Sequence, residues 1–456
     1  MSGVCYFIRT MERTMIEGLG DRIGETVRIS GWVDVRRDQG KMVFFDFRDR
    51  SGRVQGVCLP GSSALETAKE VGKEYVVRVE GVVHKRPEKN VQEGKQNGDI
   101  ELEVKSIDIL SRAAGMPFDT DADLNLDTLL DYRPLTLRRP RERAIFTLQA
   151  ALVQAYRNSL IRQGFMEFQA PALVGSDAEG GAEVFRVDYF NEQTANLATS
   201  PQLYKQIMTG VYERVFTIAR VFRAEKSATT RHISELTQMD FEMAFIEDEQ
   251  EVMFVLEEVM RDVVRDVQSK YADLFALVGT DLPLVPEAPF PILTLREAQE
   301  ILGVSTDDPD LEPAHERGIC EWAQREKGSD FVFITRFPTH KRSFYTYEHA
   351  AEAPHSRGFD LLFRGLEINS GAQRIHDYDV LVKRIEERGM DPKNFAFYLQ
   401  AFKYGMPPHG GCSTGLERLT MKMLDLDNVK EATLFPRDMN RIDVLLHGTD
   451  SGNIKE

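Results

Sequence analysis

Between residues 27 and 110, hydrophobic and polar positions alternate in five short runs: "TVRISGWVDVR", "MVFFDFRD", "RVQGVCL", "YVVRVEGVVHK" and "DIELEVKSIDIL". A period of two marks strands with one buried face, and the Gly, Asp, Asn and Pro residues between the runs, as in "DRSGR" and "RPEKN", mark turns. The stretch "SSALETAKEVG", between the third and fourth runs, reads as a helix. Short strands with a helix at that point predict a small closed β-barrel, with a β-sandwich as the competing architecture.

Residues 111–134 lose this alternation and read as a connector. From "RPRERAIFTLQAALVQAYRNSLIRQGF" onward, apolar residues recur at helical spacing, so a long amphipathic helix opens a second domain. That domain alternates strand runs (167–171, 185–190, 215–222, 238–246, 331–336, 359–368) with helices such as 248–271 and 312–327. The expected organisation is α+β: a barrel of the OB type over 1–110, a hinge over 111–134 and a mixed domain over 135–456.

The length of 456 residues agrees, because it exceeds what one hydrophobic core commonly organises. The bulk composition is that of a globular protein, and no run is long and apolar enough to span a bilayer. The N-terminal "MSGVCYFIRTMERTMIEGLG" mixes charge into its apolar residues too early for a signal peptide. Cys5, Cys58, Cys320 and Cys412 form no C-x-x-C pair, which argues against a zinc site and a disulfide framework. A cytoplasmic protein with no membrane partner is the expectation. A net charge of −16 argues against a general nucleic-acid binder. The basic stripes "VRRDQGKMVFFDFRDRSGR" and "LRRPRERA" change that picture toward a selective polyanion partner.

The candidate chemistry lies in the second domain, which has neither a Walker A loop nor a G-x-G-x-x-G turn. Residues 221–245, "VFRAEKSATTRHISELTQMDFEMAF", set Arg223 and Glu225 at the end of one strand-like run. A polar loop with Arg231 and His232 follows, and then a second run. An Arg–Glu pair on a strand is commonly a surface ion pair, but with further cations in the loop such a hairpin can be a floor for an anion. Two other stretches accompany it: "GFMEFQAP" (164–171) and "GLERL" (415–419) after "HGGCST". In this order the three resemble motifs 1, 2 and 3 of the class II aminoacyl-tRNA synthetases. "SPQLYKQ" (200–206), "EINSGAQRIHD" (367–377), "YGMPPHGG" (404–411) and "FPRD" (435–438) look like the aspartyl-tRNA synthetases of the compact archaeal type, which lack a large inserted domain.

The resemblance implies activation of L-aspartate by ATP, then transfer from the adenylate to the 3′ end of tRNA(Asp), with tRNA(Asn) left open as a second acceptor. It also implies Mg²⁺ and a homodimer formed around Pro171. Attack of a carboxylate on a phosphate joins two anions, so the site must neutralise and align both. In the family pattern Arg223 and Arg418 are the catalytic arginines, on the α- and γ-phosphates. Glu225 reads adenine, Arg231 and His232 lie near the outer phosphates, and Ile233 and Gly415 complete the ATP site. Glu367 and Ser370 match the magnesium ligands. Lys205 and Arg374 match the cations on the aspartate side chain, a pairing that would reject an amide. Gln202 and Glu179 match ligands of the substrate ammonium, and Arg223 and Ser370 complete the aspartate set. In the barrel, Arg37, Phe44 and Gln55 match anticodon contacts, with Phe44 stacking on a base.

The chain departs from the pattern at Leu236, where the family commonly has an aromatic, and at Cys412, Ser413 and Thr414, where it has smaller residues. Both departures predict weaker ATP binding, and the chain runs on past "FPRD". Two alternatives follow: an asparaginyl-tRNA synthetase, which Lys205 disfavours, and a tRNA-binding paralogue with impaired use of ATP.

Overall fold

A computed structural model describes residues 12–119, 122–175, 183–226, 229–348, 351 and 353–446. The chain forms two compact units, Met1–Asp119 and Thr120–Glu456.

In the first unit, strands β1 (Thr26–Asp38), β2 (Val43–Arg48), β3 (Arg53–Cys58), β4 (Val76–Lys85) and β5 (Ile100–Ser111) close a barrel in the order β1-β2-β3-β5-β4. Helix α1 (Leu65–Glu70) lies between β3 and β4, where the sequence places it. Every second residue of β2 points inward: Val43, Phe45 and Phe47 are buried, and the two rings stack with centroids 5.2 Å apart. Close approach of strands requires glycine at 31, where a Cβ would lie 2.1 Å from the Arg48 carbonyl oxygen.

The second unit opens with two short helices, α2 (Leu126–Asp131) and α3 (Arg133–Thr136), in the latter half of the stretch expected to be a connector. They belong to this unit because buried Arg133 donates to the carbonyls of Thr433 (2.7 Å) and Leu434 (2.8 Å). Helix α4 (Pro140–Arg162) starts with proline at its first position and buries Ile145, Leu148, Leu152 and Tyr156 at three- and four-residue spacing. Strands β6 (Met166–Glu167), β7 (Leu173–Val174), β8 (Arg186–Tyr189) and β9 (Gln193–Leu197) follow, then α5 (Gln202–Tyr212). The hairpin of β10 (Arg214–Phe222) and β11 (Glu235–Ala244) matches the anticipated one in strict register, Phe222 to Glu235 and Arg214 to Met243. Helix α6 (Glu249–Val278) is capped by Asp248 and ends at Gly279 in the left-handed conformation. It outruns its expected end at residue 271, crossing a non-helical Tyr271 (φ −136°).

The remaining elements are β12 (Ile292–Thr294), α7 (Leu295–Leu302), α8 (Pro313–Lys327), β13 (Phe331–Thr335), β14 (Gly358–Phe363), β15 (Leu366–Gln373), α9 (Tyr378–Glu387), α10 (Ala396–Lys403), β16 (His409–Gly415) and α11 (Leu416–Met423). Two expectations need correction. The run 359–368 is a hairpin rather than one strand, because Arg364 (φ 46°) and Gly365 (φ 80°) turn the chain between β14 and β15. The strand expected at 167–171 is reduced to the two residues of β6, which pair with Val215 and Phe216.

Eight strands form one sheet in the order β12-β13-β14-β15-β16-β11-β10-β6. Alternation along β11 decides its two faces. Met239, Phe241 and Met243 join the core with α4 and α6, while Leu236 and Gln238 face a cleft on the other side. Between them the opposite-face positions Asp240 and Glu242 are fully buried carboxylates.

Candidate active site

The cleft lies over β11, β15 and β16 and is walled by Arg342, Tyr345 and Thr346 and by described residues of the turn between β10 and β11. From Glu367 to Arg374, β15 and the residue after it span about 23 Å at roughly 3.3 Å per residue. Arg223, Glu225, Arg231, His232 and Ile233 reach it from the β10–β11 turn, Gln202 from α5, Glu367 and Ser370 from β15, Arg374 from just beyond it, Gly415 from the end of β16 and Arg418 from the first turn of α11. The structure thus brings together every expected aspartate, ATP and metal residue but two. Glu179 lies outside the described residues. Lys205 stands behind the cleft wall rather than on it.

Lys205 is fully buried, with its ammonium 2.9 Å from Asp240, 3.3 Å from Glu242 and 3.1 Å from the Cys412 carbonyl oxygen. The reason is the helix that carries it. The inward face of α5 is polar, with Gln202, Lys205, Gln206 and Thr209 at helical spacing, and it lies over the acidic positions of β11. The charges continue in a chain. The Ser413 hydroxyl, on the cleft, donates to Asp240 (2.6 Å), Lys205 links Asp240 to Glu242, and Glu242 accepts from Arg374 Nε (2.9 Å). Arg374 also donates to the Gly411 carbonyl (2.8 Å). Burial pushes the Glu242 carboxyl up, but Arg374 and Lys205 outweigh it and hold the group below the usual carboxylate range. Beneath this chain His409 is buried, with Nδ1 2.9 Å from the Pro407 carbonyl and Nε2 2.9 Å from the Gln206 amide. Burial lowers its pKa to about 4.

Arg223 is loosely paired with Glu225 (3.8 Å), and its buried Nε–H has no partner among the described residues. A cation that is half covered and short of acceptors suits an incoming anion. Burial and then the nearby Arg418 lower the His232 pKa, which favours the neutral imidazole. Arg418 donates to the Glu367 carbonyl (3.2 Å) and lies 3.5 Å from its carboxylate.

Two groups that the sequence did not single out complete this part of the cleft. Asp360 on β14 is the cross-strand partner of Ser370. Arg342 grips Asp360 with two hydrogen bonds (2.9 and 2.7 Å) and donates to the Ser370 hydroxyl (3.0 Å). Their only sequence signal was charge, in "HKR" and "FDLLF", without a spacing that ties them to Ser370. The donor set fits a divalent cation with few protein ligands, namely the Glu367 carboxylate and the Ser370 hydroxyl. Enclosure, then the nearby Asp360, raises the Glu367 pKa against the pull of Arg418 and Arg342. No cluster of three or more His, Cys, Asp or Glu residues suited to a metal occurs among the described residues.

The departures from the family pattern divide by strand alternation. Leu236 and Ser413 line the cleft. Cys412 points into the core on the opposite face, and Thr414 accepts from Asn369 at 2.7 Å, so neither narrows the cleft. In the barrel, Arg37 pairs across strands with Phe44, and Asp46 with Gln55. All four share one face, where Arg37 bonds Asp46 at 3.1 Å, and Phe44 is half-buried on the side away from buried Phe45.

With this geometry, the comparisons with known proteins agree. Residues 125–439 match the family of class II tRNA synthetases for aspartate, lysine and asparagine, and residues 27–110 match the OB-fold nucleic acid binding domain. The chain belongs to this class II aminoacyl-tRNA synthetase family. It is 43% identical to an "Aspartate--tRNA(Asp/Asn) ligase" of Thermus thermophilus, an alignment covering 94% of this chain and 99% of that one. It is 39% identical to an "Aspartate--tRNA(Asp) ligase" of Pyrococcus horikoshii (92% and 96% covered). Among solved structures, the asparaginyl-tRNA synthetase of P. horikoshii with asparaginyl-adenylate superposes with a TM-score of 0.87 at 33% identity (95% and 100% covered). The aspartyl tRNA synthetase of Entamoeba histolytica gives 0.84 at 30% (97% and 94% covered). No described helix is long and apolar enough to cross a membrane.

Proposed function

We propose that this synthetase activates L-aspartate with ATP and transfers it to tRNA(Asp) in the cytoplasm. The observation that carries the reading is Arg374, nearly buried at the cleft surface and held in one orientation by Glu242 and the Gly411 carbonyl. A fixed guanidinium favours a carboxylate over an amide, whose N–H groups would meet only donors. Lys205 acts through the Glu242–Asp240 chain, adding positive charge behind Arg374 and Ser413. Gln202 and Glu179 complete the amino-acid end.

Arg223 then neutralises the α-phosphate and steadies the attacking carboxylate, Glu225 meets the adenine edge, and Ile233, Leu236 and Gly415 form the surface beneath the base. Arg231, His232 and Arg418 face the outer phosphates. Glu367 and Ser370 would hold a divalent cation, magnesium in this reading, which supplies further positive charge to the phosphates. Alignment and neutralisation of this kind account for catalysis without a protein nucleophile. Arg37, Phe44 and Gln55 form the face that meets the anticodon. A homodimer through the region around Pro171 would cover the sheet edge at β6. The Asp/Asn name of the Thermus relative makes tRNA(Asn) a second acceptor to test.

The test is exchange of labelled pyrophosphate into ATP by purified protein without tRNA. Exchange that depends on aspartate and not on asparagine is expected. Exchange with asparagine alone would reverse the substrate assignment, and none with either would point to the binding paralogue.

A further inference from the structure

Glu316 lies outside every motif that led to the cleft, yet two parts of the cleft meet on it. It sits in the first turn of α8 with a side chain only 12% exposed. One oxygen, Oε2, accepts from Arg231 Nη1 at 3.0 Å and from the backbone N–H of Glu367 at 3.3 Å. Arg231 comes from the turn between β10 and β11, and Glu367 from the start of β15. A single carboxylate oxygen therefore ties the hairpin turn to the strand that carries the candidate metal ligands.

The anchoring is one-sided. Helix α8 is fixed by Ile319, Cys320 and Ala323, which pack with Leu295, Val332, Ile334 and Leu362 in a core cluster separate from that behind β11. Arg231 sits instead in a turn that, among the described residues, is tied to distant segments by single backbone bonds: Val429 donates to the Thr230 carbonyl, Ser234 to the Arg437 carbonyl, and Ala224 to the Glu183 carbonyl. Among the described residues its other guanidinium contact is a long one, 3.4 Å to the Gly365 carbonyl. A long cation on a turn loses considerable rotamer freedom when it binds a ligand, unless something has already ordered it.

We propose that Glu316 is a positioning residue for ATP: it holds Arg231 at the cleft wall and seats the start of β15, so that the polyphosphate meets an ordered cation. This rests on the assignment of the cleft to ATP. Glu316 touches no substrate in the proposal, and its effect belongs to ATP and not to the amino acid.

The test uses the full chain and the variants Glu316→Ala, Glu316→Asp, Arg231→Ala and the double variant. In aspartate-dependent exchange, Glu316→Ala raises the KM for ATP about tenfold, with the KM for aspartate unchanged. Glu316→Asp, one methylene shorter at the same charge, gives a smaller rise. The double variant loses less than the sum of the two single losses, because part of the effect of Glu316 passes through its contact with Arg231. An unchanged or lowered KM for ATP in Glu316→Ala, or losses that add in the double variant, overturns the proposal. Hydrogen exchange in the unliganded protein supplies an answer free of activity: amides of 223–235 exchange faster in Glu316→Ala, or in Glu316→Asp if the alanine variant does not fold. Unchanged exchange there overturns the proposal even if the wild type proves inactive. Absence of wild-type activity would count against the functional reading alone.

Discussion

Lys205 shows how much a single buried charge constrains. With Asp240 and Glu242 fully buried on either side, its removal leaves Asp240 without a cation and Glu242 with Arg374 alone, and breaking a buried pair in this way costs about 3–5 kcal/mol. Lys205→Ala is therefore expected to lose aspartate activation and also a large part of its stability, read as a lowered urea midpoint. Full activity would remove Lys205 from the substrate assignment, and an unchanged midpoint would mean that the acids find other partners. His409 gives a pH dependence whose sign is fixed by burial. Its folded pKa of about 4 lies below the ordinary 6.5, so the fold favours the neutral ring. The stabilisation is complete above pH 6.5 and is lost as pH falls toward 4, when the unfolded chain takes up the proton, a change of about 3 kcal/mol. In urea unfolding at pH 7 and pH 4, His409→Gln should lose less stability over that interval than the wild type, by about that amount. Equal losses would place the acid sensitivity elsewhere.

At the scale of elements, the barrel face offers a clean separation of functions. Phe44 is half-buried beside Arg37, whereas Phe45 is wholly in the core. Phe44→Ala is expected to reduce tRNA charging at least tenfold while pyrophosphate exchange stays unchanged, and Phe45→Ala to cost about 3–5 kcal/mol of stability in the barrel. Equal loss in both reactions from Phe44→Ala would make Phe44 a packing residue. The barrel was legible in the sequence almost strand for strand, because period-two alternation and turn residues are local signals. The β10–β11 hairpin was legible for the same reason. The turn at Arg364–Gly365 was hidden because apolar residues flank it on both sides and the run reads as continuous. The stretch "HGGCST" that forms β16 shows no strand alternation in the sequence. It is a central strand because neighbours approach too closely for side chains: a Cβ on Gly411 would lie 2.1 Å from the Phe241 carbonyl oxygen. The motif arginines could be found from sequence, whereas the burial of Lys205 and the grip of Arg342 depend on contacts between distant segments that no local pattern records.

At the scale of the whole molecule, a chain with net charge −16 must meet a polyanion through local basic surfaces. The KM for tRNA in charging is therefore expected to rise severalfold between about 50 and 200 mM salt, while the rate of pyrophosphate exchange, set inside the cleft, moves little. Parallel salt dependence of both reactions would contradict a separate, screened RNA surface.

The chain of buried groups from Ser413 through Asp240, Lys205 and Glu242 to Arg374 also limits how the protein can change over generations. A descendant that came to prefer the neutral amide would have to discard positive charge, yet each charge is matched to its neighbours. Any single loss of a charge along that route strands an ion in the interior, at a cost that is a large fraction of the net stability of a typical domain. A shift of substrate is thus accessible through paired replacements rather than one at a time, so this amino-acid preference should be slow to drift even where the surrounding surface varies freely.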